Sequence, residues 1–222
     1  MSYRETSNIN TLSQGVEINK VLRNTYFLLG LTLAFSALTA MLAVAMNISP
    51  LASILCMVGG FIMLFVVNKK ADSASGIFWV FGFAGLMGAS LGPMLSYYAG
   101  IPGGPALIMQ ALAGTAVIFF SLSAYVLTTR KDFSFMGGFL MVGLIVVLVA
   151  ALANIFLAIP ALSLTISSVI ILLMSGLILF DTSRIINGGE TNYIRATVSL
   201  YLNVFNIFVH LLSILGIMGS DD

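Results

Sequence analysis

Cysteine occurs once in this chain, as Cys56, and histidine once, as His210. A single thiol inside an apolar run excludes an internal disulfide, a Cys-x-x-Cys redox pair and a thiolate metal cage, and leaves Cys56 as a small packing residue. One histidine, with no acid near it on its own helix, cannot build a metal centre with that thiol. No metal and no cofactor is therefore expected. Charge is also scarce: 8% of residues are Asp, Glu, Lys or Arg, against about 25% in a water-soluble domain. The net charge of +1 offers nothing to a nucleic acid. Long loops are missing too, so no domain outside the lipid is expected.

What is there is hydrocarbon. Hydrophobic residues make up 59% of the chain, and a spanning helix needs roughly 20 of them in a row. Seven runs qualify, at Thr25–Met46, Pro50–Val67, Gly76–Tyr98, Gly104–Leu127, Gly137–Leu157, Ala161–Asp181 and Ala196–Met218. The expected fold class is an all-α integral membrane protein, one seven-helix bundle over residues 20–222, with the bilayer as its solvent. Residues 1–19 are polar and poor in large apolar side chains, and they read as a mobile tail. The run that follows is longer than the core of a secretory signal, so no cleaved leader is expected.

The few charges are ordered. Arg4, Lys20 and Arg23 precede the first run, Lys69 and Lys70 follow the second, Arg130 and Lys131 the fourth, and Arg184 and Arg195 bracket the turn from sixth to seventh. The alternate loops have no basic residue, and the chain ends Asp221-Asp222. The positive-inside rule places the N-terminus in the cytoplasm and the C-terminus outside. An even number of helices would break that pattern.

Three places carry candidate chemistry. The third run presents Gly82, Gly85, Gly88 and Gly92 as a small-residue packing face, including one GxxxG step, which lets two backbones approach in lipid. Pro93 follows and predicts a kink. The same stretch, Gly88-Ala89-Ser90-Leu91-Gly92, matches the G-x-S-x-G pattern of a nucleophilic serine. Ser90 and His210 lie at one depth, about 21 Å along helices that start from the same face, so a Ser–His pair is conceivable. The pattern's chemistry needs a strained strand-to-helix turn, however, and Ser90 sits inside a helix. No catalytic residue is assigned, and an intramembrane serine protease is the least favoured reading. Asn154, near the end of the fifth run, predicts a hydrogen bond between helices.

The last hairpin is the main candidate. Asp181 closes the sixth run, and Arg184, three residues on, is placed to pair with it. The seventh run carries Asn203, Asn206 and His210 at spacings of three and four, one stripe on one face. Polar groups inside a membrane usually face a bundle interior, a cavity or each other. Asp181, Asn203, Asn206 and His210 are thus a candidate cation or proton site on a central seventh helix, while a purely structural hydrogen-bonding role accounts for the same residues.

The turn reading AYVLTTRKDFSFMGG, Gly92-Pro93 after a Gly-rich third helix, Phe180-Asp181-Thr182 and Tyr201-Leu202-Asn203 with Phe205-Asn206-Ile207-Phe208 resemble the Bax inhibitor-1 (transmembrane BAX-inhibitor-motif) family. Val21-Leu22-Arg23-Asn24-Thr25-Tyr26-Phe27 and the Gly188–Thr197 segment are similar to its bacterial branch of FtsH-protease modulators. The resemblance covers residues 20–217. It implies seven helices with the seventh at the centre, residence in the bacterial inner membrane, and a partner, the AAA+ membrane protease FtsH, that is bound and restrained and can draw in the N-terminal tail. It also implies an alternative, a pH-sensitive calcium or proton leak through two aspartates. Asp181 matches the first; Asn203 stands at the second. An Asp–Asn pair cannot share a proton between like carboxylates, and the expected function is an inhibitory partner of FtsH without catalysis of its own.

Overall fold

The computed structural model describes the backbone of residues 2–219 and the side chains of residues 16–219. The expected tail at residues 1–19 lies mostly outside those side chains, and Asp221-Asp222 lie outside the described residues. The elements run α1 (Ser2–Ala45), α2 (Pro50–Lys70), α3 (Gly76–Ser90), α4 (Gly92–Gly100), α5 (Gly104–Thr129), a 3-10 turn (Ser134–Met136), α6 (Gly137–Leu157), α7 (Pro160–Ile186) and α8 (Tyr193–Met218). Among the described residues seven segments are long and apolar enough to cross a membrane, α3 and α4 together forming one of them.

Local chemistry sets these boundaries. Pro50, Pro105 and Pro160 stand in the first turns of α2, α5 and α7, where a missing N–H costs nothing. Ser49 caps α2 by accepting from the Ala52 amide at 3.2 Å. The third run breaks at Leu91, whose amide folds back on Gly88 O; Pro93 offers no amide to carry the ladder through, so the expected kink is a true interruption. Two boundaries differ from expectation by more than three residues. The helix carrying the first apolar run does not begin at Thr25: α1 is already helical from Ser2, the backbone ladder continuing through the polar residues that precede the run. And α7 does not end at Asp181: it continues to Ile186, which puts the carboxylate inside the helix and the bundle.

Helix α8 is the centre. It packs on α7, α5 and α1 and touches α2 and α3. Its Leu200, Tyr201, Ile207 and Leu212 are all but fully buried, and Tyr201 meets Phe83 edge-on at 5.1 Å. Helix α6 is peripheral, resting on α7 and presenting Phe139, Val142, Val146 and Phe156 outward. Such an inside-out surface is stable only where the solvent is hydrocarbon. The expected bond from Asn154 is present, donated to Ser163 Oγ of α7 at 2.7 Å.

The loops that carry the basic residues meet on one face. Asp72, after α2, accepts from Arg195 at 2.6 Å and from Asn192 Nδ2 at 2.7 Å. The Phe133 amide, between α5 and α6, donates to Ser183 Oγ of α7 at 2.9 Å. In the same loop the Ser134 hydroxyl and amide hold the Asp132 carboxyl below its usual range, so that its share in this turn is complete above ordinary carboxylate pH and fades as pH falls through its lowered value. Asn192 is the busiest of these residues: Oδ1 caps α8 at the amides of Ile194 and Arg195, while Nδ2 reaches Ala71 O and Asp72. Asn192→Ala is expected to cost about 1–2 kcal/mol, seen as a lower thermal midpoint in detergent. A midpoint equal to wild type would mean that the loops do not depend on this clasp.

Candidate functional site

Asp181 lies where α7 and α8 face one another, with 8% of its surface exposed. Its Oδ2 accepts two hydrogen bonds from α8, one from Ser199 Oγ at 2.6 Å and one from Asn203 Nδ2 at 2.8 Å. Ser199 and Asn203 are four residues apart, hence on one face one turn apart. Neither donor carries a charge, so the carboxylate is held by neutral dipoles. Next to it, Thr182 Oγ1 and Tyr26 OH of α1 stand 3.4 Å apart, joining a third helix to the site.

The remaining candidates are placed elsewhere. Arg184 does not form the expected ion pair with Asp181. Its guanidinium donates to Gly189 O at 3.2 Å, approaches Glu190 at 3.8 Å and lies over the Phe180 ring. The reason is geometric: Thr182, Ser183 and Ile185 stay buried, while Arg184 stands on the half-exposed side of α7, where a long cation reaches water and the α7–α8 loop more cheaply than a buried acid. Asn206 Nδ2 turns back to Leu202 O of its own helix. His210 Nδ1 meets Ser167 Oγ of α7 at 3.1 Å, about 10 Å further along α8 than Asn203. The stripe Asn203, Asn206, His210 is therefore three separate contacts, not one polar lane. Among the described residues no three His, Cys, Asp or Glu gather into a metal-binding group.

The serine-protease geometry is not formed either. Ser90 Oγ donates to Met87 O at 2.6 Å within its own helix, and His210 is engaged by Ser167. The glycine face divides. Gly85, Gly88 and Gly92 turn to α1, where a Cβ would meet Phe35, the Ser36 carbonyl and Ala43 respectively, while Gly82 faces Met63 of α2.

Two participants escaped the sequence reading. Ser199 is one, although its spacing of four from Asn203 was a usable signal. Tyr201 is the other: its hydroxyl pairs with Ser36 Oγ at 2.6 Å and lies 3.4 Å from Ala84 O, tying α8 to α1 and α3. An aromatic in an apolar run gives no such warning. Chemically, the Asp181 site can lock α7 to α8, and can take up or release one proton or a small cation at a single carboxylate.

Comparison with known proteins places these features in context. The family model described as "Inhibitor of apoptosis-promoting Bax1" matches residues 18–220. A Vibrio cholerae protein described as an uncharacterized membrane protein is 54% identical over 213 residues, 96% of each chain. The "Modulator of FtsH protease YccA" of Escherichia coli K12 is 56% identical over 203 residues, 91% of this chain and 92% of that one. The "Inner membrane protein YccA" of Escherichia coli O6:H1 matches with the same identity and coverage.

Proposed function

This chain belongs to the Bax inhibitor-1 family, and from that membership we propose that it is an inner-membrane modulator of the protease FtsH. The observation that carries the reading is the 56% identity, over 91% of this chain, with a protein named for that role. Outward-facing helix surfaces are what a membrane partner can recognise in lipid. The protein is multi-pass, with the basic loops and N-terminus in the cytoplasm and the C-terminus in the periplasm. It acts by occupying the protease and slowing its turnover of membrane substrates, and residues 1–19 are the handle by which the protease grips it.

A second reading follows from Asp181, a buried carboxylate held by two neutral donors: a proton or cation leak gated where α7 meets α8. Flux into liposomes that Asp181→Ala leaves unchanged would remove it.

The test of the first reading is co-purification with FtsH in detergent, comparing the full chain with one lacking residues 2–19, while a membrane substrate's turnover is followed. The full chain is expected to be recovered with the protease and to slow turnover. The shortened chain is expected to bind and yet escape degradation. Recovery of neither form with the protease would refute the partnership.

A further inference from the structure

Helices α1 and α5 both flank α8 and meet one another where Tyr26 lies against Phe119, ring centroids 5.8 Å apart. Between them runs a groove of about 550 Å³, with Gly30, Ala37 and Met41 on one wall, Leu112 and Phe120 on the other, and Phe205 on the floor. Along α1 it extends from Tyr26 to Met41, about 22 Å at 1.5 Å per residue, most of the roughly 30 Å hydrocarbon thickness.

The hydroxyls that line it are already engaged. Tyr26 pairs with Thr182, Ser36 with Tyr201, and Thr115 donates to Ala111 O. Water has no polar partner to hold it there, and an apolar cavity of this kind excludes water. A long, apolar groove of this volume that opens to lipid suits a single extended hydrocarbon chain.

The mouth supplies the other half of the ligand. Arg23 is exposed and lies three residues before Tyr26 and seven before Gly30, on the same stripe of α1. It has no hydrogen-bond or ion-pair partner among the described residues. It stands at the face where the basic loops collect, which is headgroup level for a chain lying in the groove. A guanidinium there suits a phosphate, which it can bind in bidentate fashion.

We propose that the groove between α1 and α5 binds one glycerophospholipid, an acyl chain lying along α1 and its phosphate resting on Arg23. The lipid is a resident of this site, distinct from the annulus that wets α2 and α6. Filling the gap, it extends the packing that α1 and α5 make at Tyr26 and Phe119.

The full chain would be reconstituted in phosphatidylethanolamine–phosphatidylglycerol vesicles containing a trace of phosphatidylglycerol with a diazirine on one acyl chain. After photolysis, label is expected to concentrate on residues 26–41 and 108–120. A Cβ at Gly30 meets nothing within 4 Å, so Gly30→Phe enters open space to fill the groove, and Ala116→Phe fills it from the opposite wall. Either is expected to remove the concentrated label while leaving that on α2 and α6 unchanged. Arg23→Gln is expected to lower groove labelling about tenfold, as does replacing the probe by a diacylglycerol with the same chain.

Label spread evenly over the outer helices and indifferent to both Phe variants would overturn the site. Equal labelling by diacylglycerol would overturn the assignment of Arg23. Ala37→Cys, in a Cys56→Ser background, crosslinking to a helix of another chain in place of lipid would overturn the lipid as occupant.

Discussion

Gly88→Leu is expected to destabilise the bundle by about 3 kcal/mol or more, beyond the usual range for an overfilled core site. A Cβ on Gly88 would overlap the carbonyl oxygen of Ser36 and the Thr39 hydroxyl, and would crowd Ser36 Oγ. A neighbouring side chain can often swing aside, but a helix carbonyl cannot move without its helix. The clash therefore pushes α1 from α3, and with it Ser36 from Tyr201, whose 2.6 Å bond ties α1 to the central helix. Gly138 is the control, because a Cβ there meets nothing within 4 Å. Folded fraction in detergent, followed by stepwise denaturation, is expected to be near wild type for Gly138→Leu and much reduced for Gly88→Leu. Equal midpoints for the two would mean that α1 and α3 do not approach at Gly88.

The second large effect is expected at Asn203. Replacing it by leucine removes one of the two donors to Asp181 Oδ2 and sets an apolar side chain against a buried carboxylate. The expected loss is about 2 kcal/mol, because a buried polar group stripped of a partner bears its full desolvation. Replacing both members, Asp181→Leu with Asn203→Leu, leaves no stranded carboxylate and is expected to cost less than Asn203→Leu alone. That reversal separates a hydrogen-bond pair from mere packing volume. If the double variant is less stable than the single, the α7–α8 contact is held by shape and not by the pair.

The same residues mark what can be read without a structure. Class and helix number follow from one strong one-dimensional signal, runs long enough to cross hydrocarbon, and a second, basic residues confined to alternate loops, supports the proposed threading. Each is set by a large transfer free energy, residue by residue, independent of which helix touches which. The break before Pro93 and the bond from Asn154 to Ser163 belong to the same local logic. Asp181 and Asn203 could be singled out because a polar group in an apolar run is costly and needs a reason.

The partners of those groups were decided by tertiary structure. Periodicity put Asn203, Asn206 and His210 on one stripe, but the choice among a facing carboxylate, the residue's own helix and Ser167 depends on how α7 lies across α8. Proximity in sequence suggested Arg184 for Asp181, whereas the half-exposed side of α7 on which Arg184 stands sent it to its own loop and left the acid to Ser199 and Asn203. The glycine stripe of α3 could predict close approach but not that Gly82 would face a different helix from Gly85, Gly88 and Gly92. And the groove between α1 and α5 has no trace in either helix alone, because a gap is a property of two surfaces that fail to meet. Burial in lipid is additive along the chain and legible there; pairing is a matter of relative helix orientation, which only the packed bundle determines.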